Sequence, residues 1–240
     1  MKIKIMTIFP QMFDGFLNTS IIKRAIDNKL IEIEIVDFRQ YSKDKNKRVD
    51  DYPYGGGAGM ILSCQPVLDC LSAIKSDNSF VIITDPAGKR FDQSLAKQYS
   101  QKDELVIICG HYEGFDGRIY DFVDEKVSIG DYVLTGGELA SMVISDAVSR
   151  LVNGVISSNS TCEESFENDL LEYKQYTRPQ IYNGMAVPEV LVSGHHENIR
   201  LYRLKEQLKN TYLYRKDLLK KHQFTEEEKK LMREIIEEHD

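Results

Sequence analysis

Apolar residues in the first 150 positions recur in two alternating rhythms, one of period two and one near 3.6. Ile3 to Phe9 is apolar enough for a strand. Ser20 to Lys29 places Ile21, Ile22, Ala25 and Ile26 at helical spacing. Leu30 to Phe38 then alternates Ile31, Ile33 and Ile35 against Glu32 and Glu34, which predicts a strand with one wet face. Pro66 at a first helical position opens a helix to Lys75. Phe80 to Thr84 and Glu104 to Cys109 are short β-branched runs of the kind that form buried parallel strands. Gln93 to Ser100 is a helix between them, Lys126 to Ile129 is a further short strand, and Glu138 to Asn153 is a helix. This β-α-β-α order predicts an α/β fold with a mostly parallel sheet. Ligands of such sheets sit beyond the carboxyl ends of the strands. Three loops fall there: 85–88, 110–114 and 130–137.

The rhythm stops at Gly154. From there to about Glu172 the chain is rich in Ser, Asn, Thr and Glu, a linker composition. Beyond Tyr176 the pattern is helical, with Ile199, Tyr202, Leu204 and Leu208 spaced along Asn198 to Lys209. Thr225 with Glu228 forms a capping box ahead of a last helix. The expected organisation is a first domain over 1–155, a mobile linker over 156–172 and a small helical domain over 173–240.

Composition narrows the class. The chain has 240 residues, 42% hydrophobic and 29% charged, as an ordinary globular protein does. No apolar run approaches the ~18–20 residues of a membrane span. The N-terminus lacks the long apolar stretch of a signal peptide, so it reads as a first strand. Cys64, Cys70, Cys109 and Cys162 show no C-x-x-C spacing, which argues for a reducing cytoplasm and against a zinc site or disulfide framework. Cys109, inside an apolar run, reads as a buried small hydrophobe. His195-His196 lacks a suitably spaced third ligand, so no metal site is expected.

The net charge of −7 conceals an asymmetry. Between His195 and His222 lie eight Lys/Arg and three acids, whereas Thr225 to Asp240 is acidic. Tyr202, Tyr212 and Tyr214 interleave the basic stretch. It reads equally as a solvated helix face with tyrosines in the core, or as an RNA surface of phosphate contacts and stacking.

The segment richest in chemistry is Ser128 to Glu138, Ser-Ile-Gly-Asp-Tyr-Val-Leu-Thr-Gly-Gly-Glu. Three glycines at a strand-to-helix junction let the backbone approach a ligand and leave main-chain groups free to read it. No Walker pattern or dinucleotide fingerprint is present. Gly55 to Gly59 holds four glycines in five positions, either a surface turn or a loop packing on a substrate or partner subunit. Cys109 to Arg118 offers Tyr112 as an aromatic wall and Glu113 as a partner for an ammonium or a donor. Glu163, Glu164 and Glu167 form a carboxylate cluster in the linker.

Taken together, these segments resemble the bacterial tRNA (guanine-37-N1)-methyltransferases of the SPOUT class. The resemblance rests on Ile8 to Phe13, Val49 to Met60, Cys109 to Gly114, Ser128 to Leu139, Leu170 to Glu172, Tyr176 to Pro179 and Val192 to His196, in family order along nearly the whole chain. It implies a trefoil knot late in the first domain and an S-adenosylmethionine donor held largely by main chain. The positions that match its donor site are Pro86, Gly110, Tyr112, Glu113, Ile129, Gly130, Asp131, Tyr132, Val133, Leu134, Gly136 and Gly137. It also implies a homodimer with shared active sites and a second domain that grips the tRNA anticodon region. For that grip the candidates are Arg178, His195, Arg200, Arg203, Lys205, Lys209 and Arg215.

Guanine N1 carries a proton and is a poor nucleophile until it leaves, so a general base is required. The resemblance puts that base at Glu164, where the family has aspartate in Asp-Ser-Phe; here the motif is Glu-Ser-Phe, with Glu163 adjacent. It puts a catalytic arginine at Arg150, suited to the negative charge that develops on guanine O6. Gln175 replaces a histidine common in the family, so no proton transfer is assigned there.

Overall fold

A computed structural model describes residues 1–157 and 164–239. Glu163 and Cys162, named above, lie outside the described residues. The chain divides into two compact units, 1–157 and 158–240.

The first unit is built on β1 (Lys2–Thr7), α1 (Ser20–Asp27), β2 (Glu32–Asp37), α2 (Cys64–Ile74), β3 (Ser79–Arg90), α3 (Gln93–Ser100), β4 (Glu104–Ile108), β5 (Glu125–Ser128) and α4 (Glu138–Ser149). The sheet order is β2-β1-β4-β3-β5, and every pair is parallel. Alternate residues of the strands serve two cores. Met6, Val81, Ile83, Val106 and Ile108 face one side with Val67, Cys70 and Leu71 of α2. Ile3, Ile5, Ile82, Leu105 and Ile107 face the other with Leu95 and Tyr99 of α3 and Ile144 and Val148 of α4. A sheet covered on both faces explains why β3 and β4 read as unbroken apolar runs while edge strand β2 alternates. Glu32 and Glu34 of β2 are wet and reach Lys2 on β1.

Three elements differ from their sequence patterns. α2 starts two residues before the expected Pro66 position; proline fits anywhere in a first turn, where its missing N–H has no helical partner. α4 ends at Ser149, four residues before Asn153. The third difference shapes the site: β3 does not stop at Thr84. Thr84 and Lys89 both pair with Val127 of β5, so 85–88 bulge out and the strand resumes to Arg90. Pro86 fits a bulge because it donates nothing to the ladder. Gly88 lies so close to the Val127 backbone that a Cβ would overlap it.

Lys4 and Glu104, on neighbouring strands, form a buried ion pair with Nζ 2.8 Å from Oε2. Lys4 also donates to the Ile74 carbonyl, and Ser76 and Ser79 donate to the other Glu104 oxygen. Burial would raise the Glu104 pKa, but the Lys4 and serine hydrogen bonds outweigh it and hold it below the usual carboxylate value. Its contribution to stability is therefore present above about pH 4.5 and is lost as pH falls through the depressed folded value. Lys4→Ala strands a buried carboxylate and is expected to cost about 3–5 kcal/mol in urea denaturation at pH 7. Glu104→Gln should show a flatter loss of stability below pH 4.5 than the wild type.

The second unit has its own core of Leu170, Leu208, Met232 and Ile235, between α5 (His196–Tyr214) and α6 (Glu226–His239). The capping box forms as expected: Thr225 N donates to Glu228 Oε2 at 2.7 Å, and Glu228 N to Thr225 Oγ1 at 3.2 Å. Residues 164–172, read from sequence as linker, are folded onto this unit. Leu170 is in its core, Leu171 N donates to Thr211 Oγ1, and Asn210 Nδ2 donates to the Glu172 carbonyl.

Candidate functional site

β4, β3 and β5 are neighbours, so the loops after their carboxyl ends meet. Thr84 Oγ1 donates to the Ile108 carbonyl and accepts from Gly110 N. Gly137 N donates to the Gly110 carbonyl at 2.7 Å, closing the third loop on the second. Together they form a cleft of about 300 Å³, at the lower end of ligand-pocket sizes.

The lining brings together Pro86, Gly110, Tyr112, Glu113, Ile129, Gly130, Tyr132, Val133, Leu134, Gly136 and Gly137 from the sequence expectation. Asp131 lies in the same loop but is not among the residues that line the cleft. Tyr112 itself holds a left-handed φ of +58°, a conformation that costs energy and clusters at functional sites.

Ile129, Leu134, Pro86 and Tyr132 give the cleft an apolar wall, and Asp85 and Glu113 are its ionisable carboxylates. Among the described residues, no lysine or arginine lines it. That chemistry suits a ligand with an apolar, hydrogen-bonding body and positive charge, and is wrong for a polyphosphate. The glycine-rich loop reaches the rim: Glu113 N donates to the Met60 carbonyl, and Gly59 packs directly against the Glu113 side chain.

Sequence reasoning passed over Thr84, Asp85, His111 and Glu138. Glu138 opens α4, is 1% exposed, and accepts from Thr7 Oγ1 at 2.8 Å. His111 Nδ1 lies 3.7 Å from the other Glu138 oxygen, buried and without a hydrogen-bond partner among the described residues. Gly136 makes the approach possible, because a Cβ there would overlap both side chains. His111 and Glu138 both stood in motifs already singled out, so their signal was available; the pairing of Glu138 with Thr7 was not, since Thr7 is 131 residues away. Cys109 is buried as expected, and burial, followed by the Glu138 charge, pushes its thiol up so that it stays protonated.

Arg150 caps α4 at the end opposite the cleft. Twelve helical residues separate them, about 18 Å at 1.5 Å per residue. Within one chain, Arg150 is not part of this cleft.

In the second unit the cations divide. Arg200 is held by Glu197 and Glu227, Lys205 by Glu234 and Glu238, and Arg215 by Asp217. The acidic α6 thus offsets part of the basic stretch that sequence counting treated separately. Such exposed pairs are weak and exchange readily. Arg178 and Arg203 line an open groove with Tyr173, Lys174 and Tyr176, the Arg203 guanidinium 4.9 Å above the Tyr173 ring. His195 precedes the first turn of α5.

The chain thus joins a parallel α/β unit, with a glycine-built, acid-bordered cleft across three strand ends, to a helical unit carrying cations and tyrosines. Residues 1–221 match the family described as tRNA (Guanine-1)-methyltransferase TrmD. A tRNA (guanine-N(1)-)-methyltransferase of Clostridium botulinum strain Hall is 52% identical over 237 residues, 98% of both chains. One from Malacoplasma penetrans strain HF-2 is 52% identical over 222 residues, 92% of this chain and 98% of its own. One from Clostridium acetobutylicum is 53% identical over 234 residues, 97% of this chain and 96% of its own. The chain belongs to the tRNA (guanine-1)-methyltransferase family.

Proposed function

We propose that the protein transfers a methyl group from S-adenosylmethionine to N1 of guanine 37 in tRNA, beside the anticodon, with Glu164 as general base. The observation that carries this reading is the cleft: glycine backbone, apolar walls and two carboxylates, on a chain of this family. When bound, S-adenosylmethionine supplies an electrophilic methyl on a positively charged sulfonium. Main-chain groups around Gly110 and 130–137 would hold its adenosine, with Ile129 and Leu134 as walls. Asp85 and Glu113 would balance its positive charge.

The other roles belong to side chains of this chain. Glu164 accepts the guanine N1 proton. Arg150 stabilises the negative charge that deprotonation pushes onto guanine O6. The distance between Arg150 and the cleft of its own chain favours a homodimer in which a second copy completes each site. Arg178, His195, Arg203 and Lys209 take tRNA phosphates and bases, and Arg200, Lys205 and Arg215 join by exchanging their carboxylate partners. The reading carries with it the trefoil knot of the SPOUT class and a cytoplasmic location. No helix among the described residues is long and apolar enough to cross a membrane.

The test is methylation of a tRNA transcript with guanines at 36 and 37, beside one lacking guanine 37, followed by nucleoside analysis. Donor-dependent 1-methylguanosine, absent from the second transcript, is expected. Equal labelling of both transcripts, or a 2′-O-methylated product, overturns the reading.

A further inference from the structure

We propose that His222 is a positioning residue for the methyl transfer, holding the bend that carries Glu164. The inference rests on the reading of Glu164 as base.

Residues 164–172 turn sharply on themselves. Phe166 and Asp169, neither a glycine, hold φ of +74° and +56°. Such conformations persist only where the surroundings impose them. Inside the bend, Phe166 N donates to the Leu170 carbonyl at 2.8 Å, Glu167 N to the Glu164 carbonyl at 3.2 Å, and Glu172 N to Ser165 Oγ at 3.0 Å. These bonds give the bend its shape but do not attach it. Its outgoing limb is attached through Leu170 in the core and Leu171 on Thr211.

Arg215 lies 5.7 Å from the Phe166 ring centroid, and the middle of the bend, at Asn168, is gripped by His222. The imidazole Nδ1 lies 2.8 Å from the Asn168 carbonyl oxygen. A carbonyl only accepts, so Nδ1 carries a proton and donates. On the other side of the ring, Nε2 lies 3.4 Å from Glu228 Oε2, the same oxygen that caps α6 through Thr225 N. Phe224 packs edge-on against the ring, with centroids 4.9 Å apart. The side chain is 9% exposed. His222 therefore holds the bend through the Nδ1 hydrogen bond, with Phe224 packed on its ring, while Nε2 is buried beside Glu228 without a hydrogen-bond partner among the described residues. Glu164, Glu167, Asn168, Asp169, His222 and Glu228 share one cavity wall.

Losing this tie leaves the shape of the bend but loosens its seat. A base displaced by about 1 Å loses on the order of 10²-fold in rate. The two ring nitrogens can be tested separately. An Asn amide nitrogen reproduces Nδ1, and a Gln amide nitrogen reproduces Nε2. His222→Leu and His222→Gln are expected to slow single-turnover methylation by about 10–100-fold, with tRNA Kd within twofold of the wild type. His222→Asn should recover at least half the rate. Combined with Glu164→Gln, the His222→Leu loss should not multiply, since both act on one group.

Equal rescue by Gln and Asn, or a multiplicative double variant, overturns the proposal. A normal rate for His222→Leu beside a crippled Glu164→Gln overturns the positioning role alone. A normal rate for Glu164→Gln overturns the base reading, and with it any route through Glu164. If His222→Leu does not fold, the comparison of Asn with Gln carries the test.

Discussion

Glu164→Gln is expected to slow single-turnover methylation of tRNA by ~10²–10⁴-fold, the usual contribution of a general base. The amide is nearly isosteric, so packing and tRNA affinity should hold within a few-fold. The proton on guanine N1 must leave before its lone pair can attack, and a neutral amide cannot accept it. On the proposed reading Arg150 would not replace that role, because a guanidinium stabilises charge and takes no proton. The neighbour Glu163 makes a second measurement informative: Glu163→Gln should retain most of the rate. Reversal of the two variants would move the base by one residue. Full activity in both would remove the carboxylate from the chemistry.

Gly137→Ala is expected to damage both the fold and the cleft. Gly137 has ordinary helical dihedrals (φ −83°, ψ −4°), so an alanine backbone is unstrained there. The problem is space. An added Cβ would overlap Thr84 Oγ1 and lie 2.7 Å from Gly110 N and 3.0 Å from Cys109 Cα. Two of those neighbours are backbone at the end of β4, and Thr84 is committed to hydrogen bonds on both sides. Relief requires prising the third loop from the strand ends. Overpacking of this kind costs about 1–3 kcal/mol, or roughly 2–12 °C in Tm for a chain of this size. Calorimetry should also show at least a tenfold loss of S-adenosylmethionine affinity, because the same contact closes the cleft. Gly15→Ala is the control: nothing lies within 4 Å of its added Cβ, and the change should be neutral or slightly stabilising. A Gly137→Ala protein that melts and binds like the wild type would refute the close-approach account.

Much of this arrangement was legible in residue order. The three loops could be placed at one end of the sheet because a β-α-β rhythm puts successive strand ends on the same side. Thr225 and Glu228 announced their capping box because its partners are three residues apart. The pairing of Arg200 with Glu227 and of Lys205 with Glu238 escaped a count of charge along the chain, since the partners are 27 and 33 residues apart. The attachment of 164–172 escaped it too. Polar composition reads as linker, whereas Leu170 and the backbone of Leu171 and Glu172 are what seat the segment.

The sequence by itself determined the strand and helix rhythm, the glycines where backbone must approach closely, and the motifs of the family. These are properties of neighbours in the chain or of residue type. The tertiary structure alone decided that Glu138 sits buried between Thr7 and His111, that β3 bulges and resumes, and that His222 holds the bend that follows Glu164. Each depends on which distant segments pack together, and local periodicity carries no record of that.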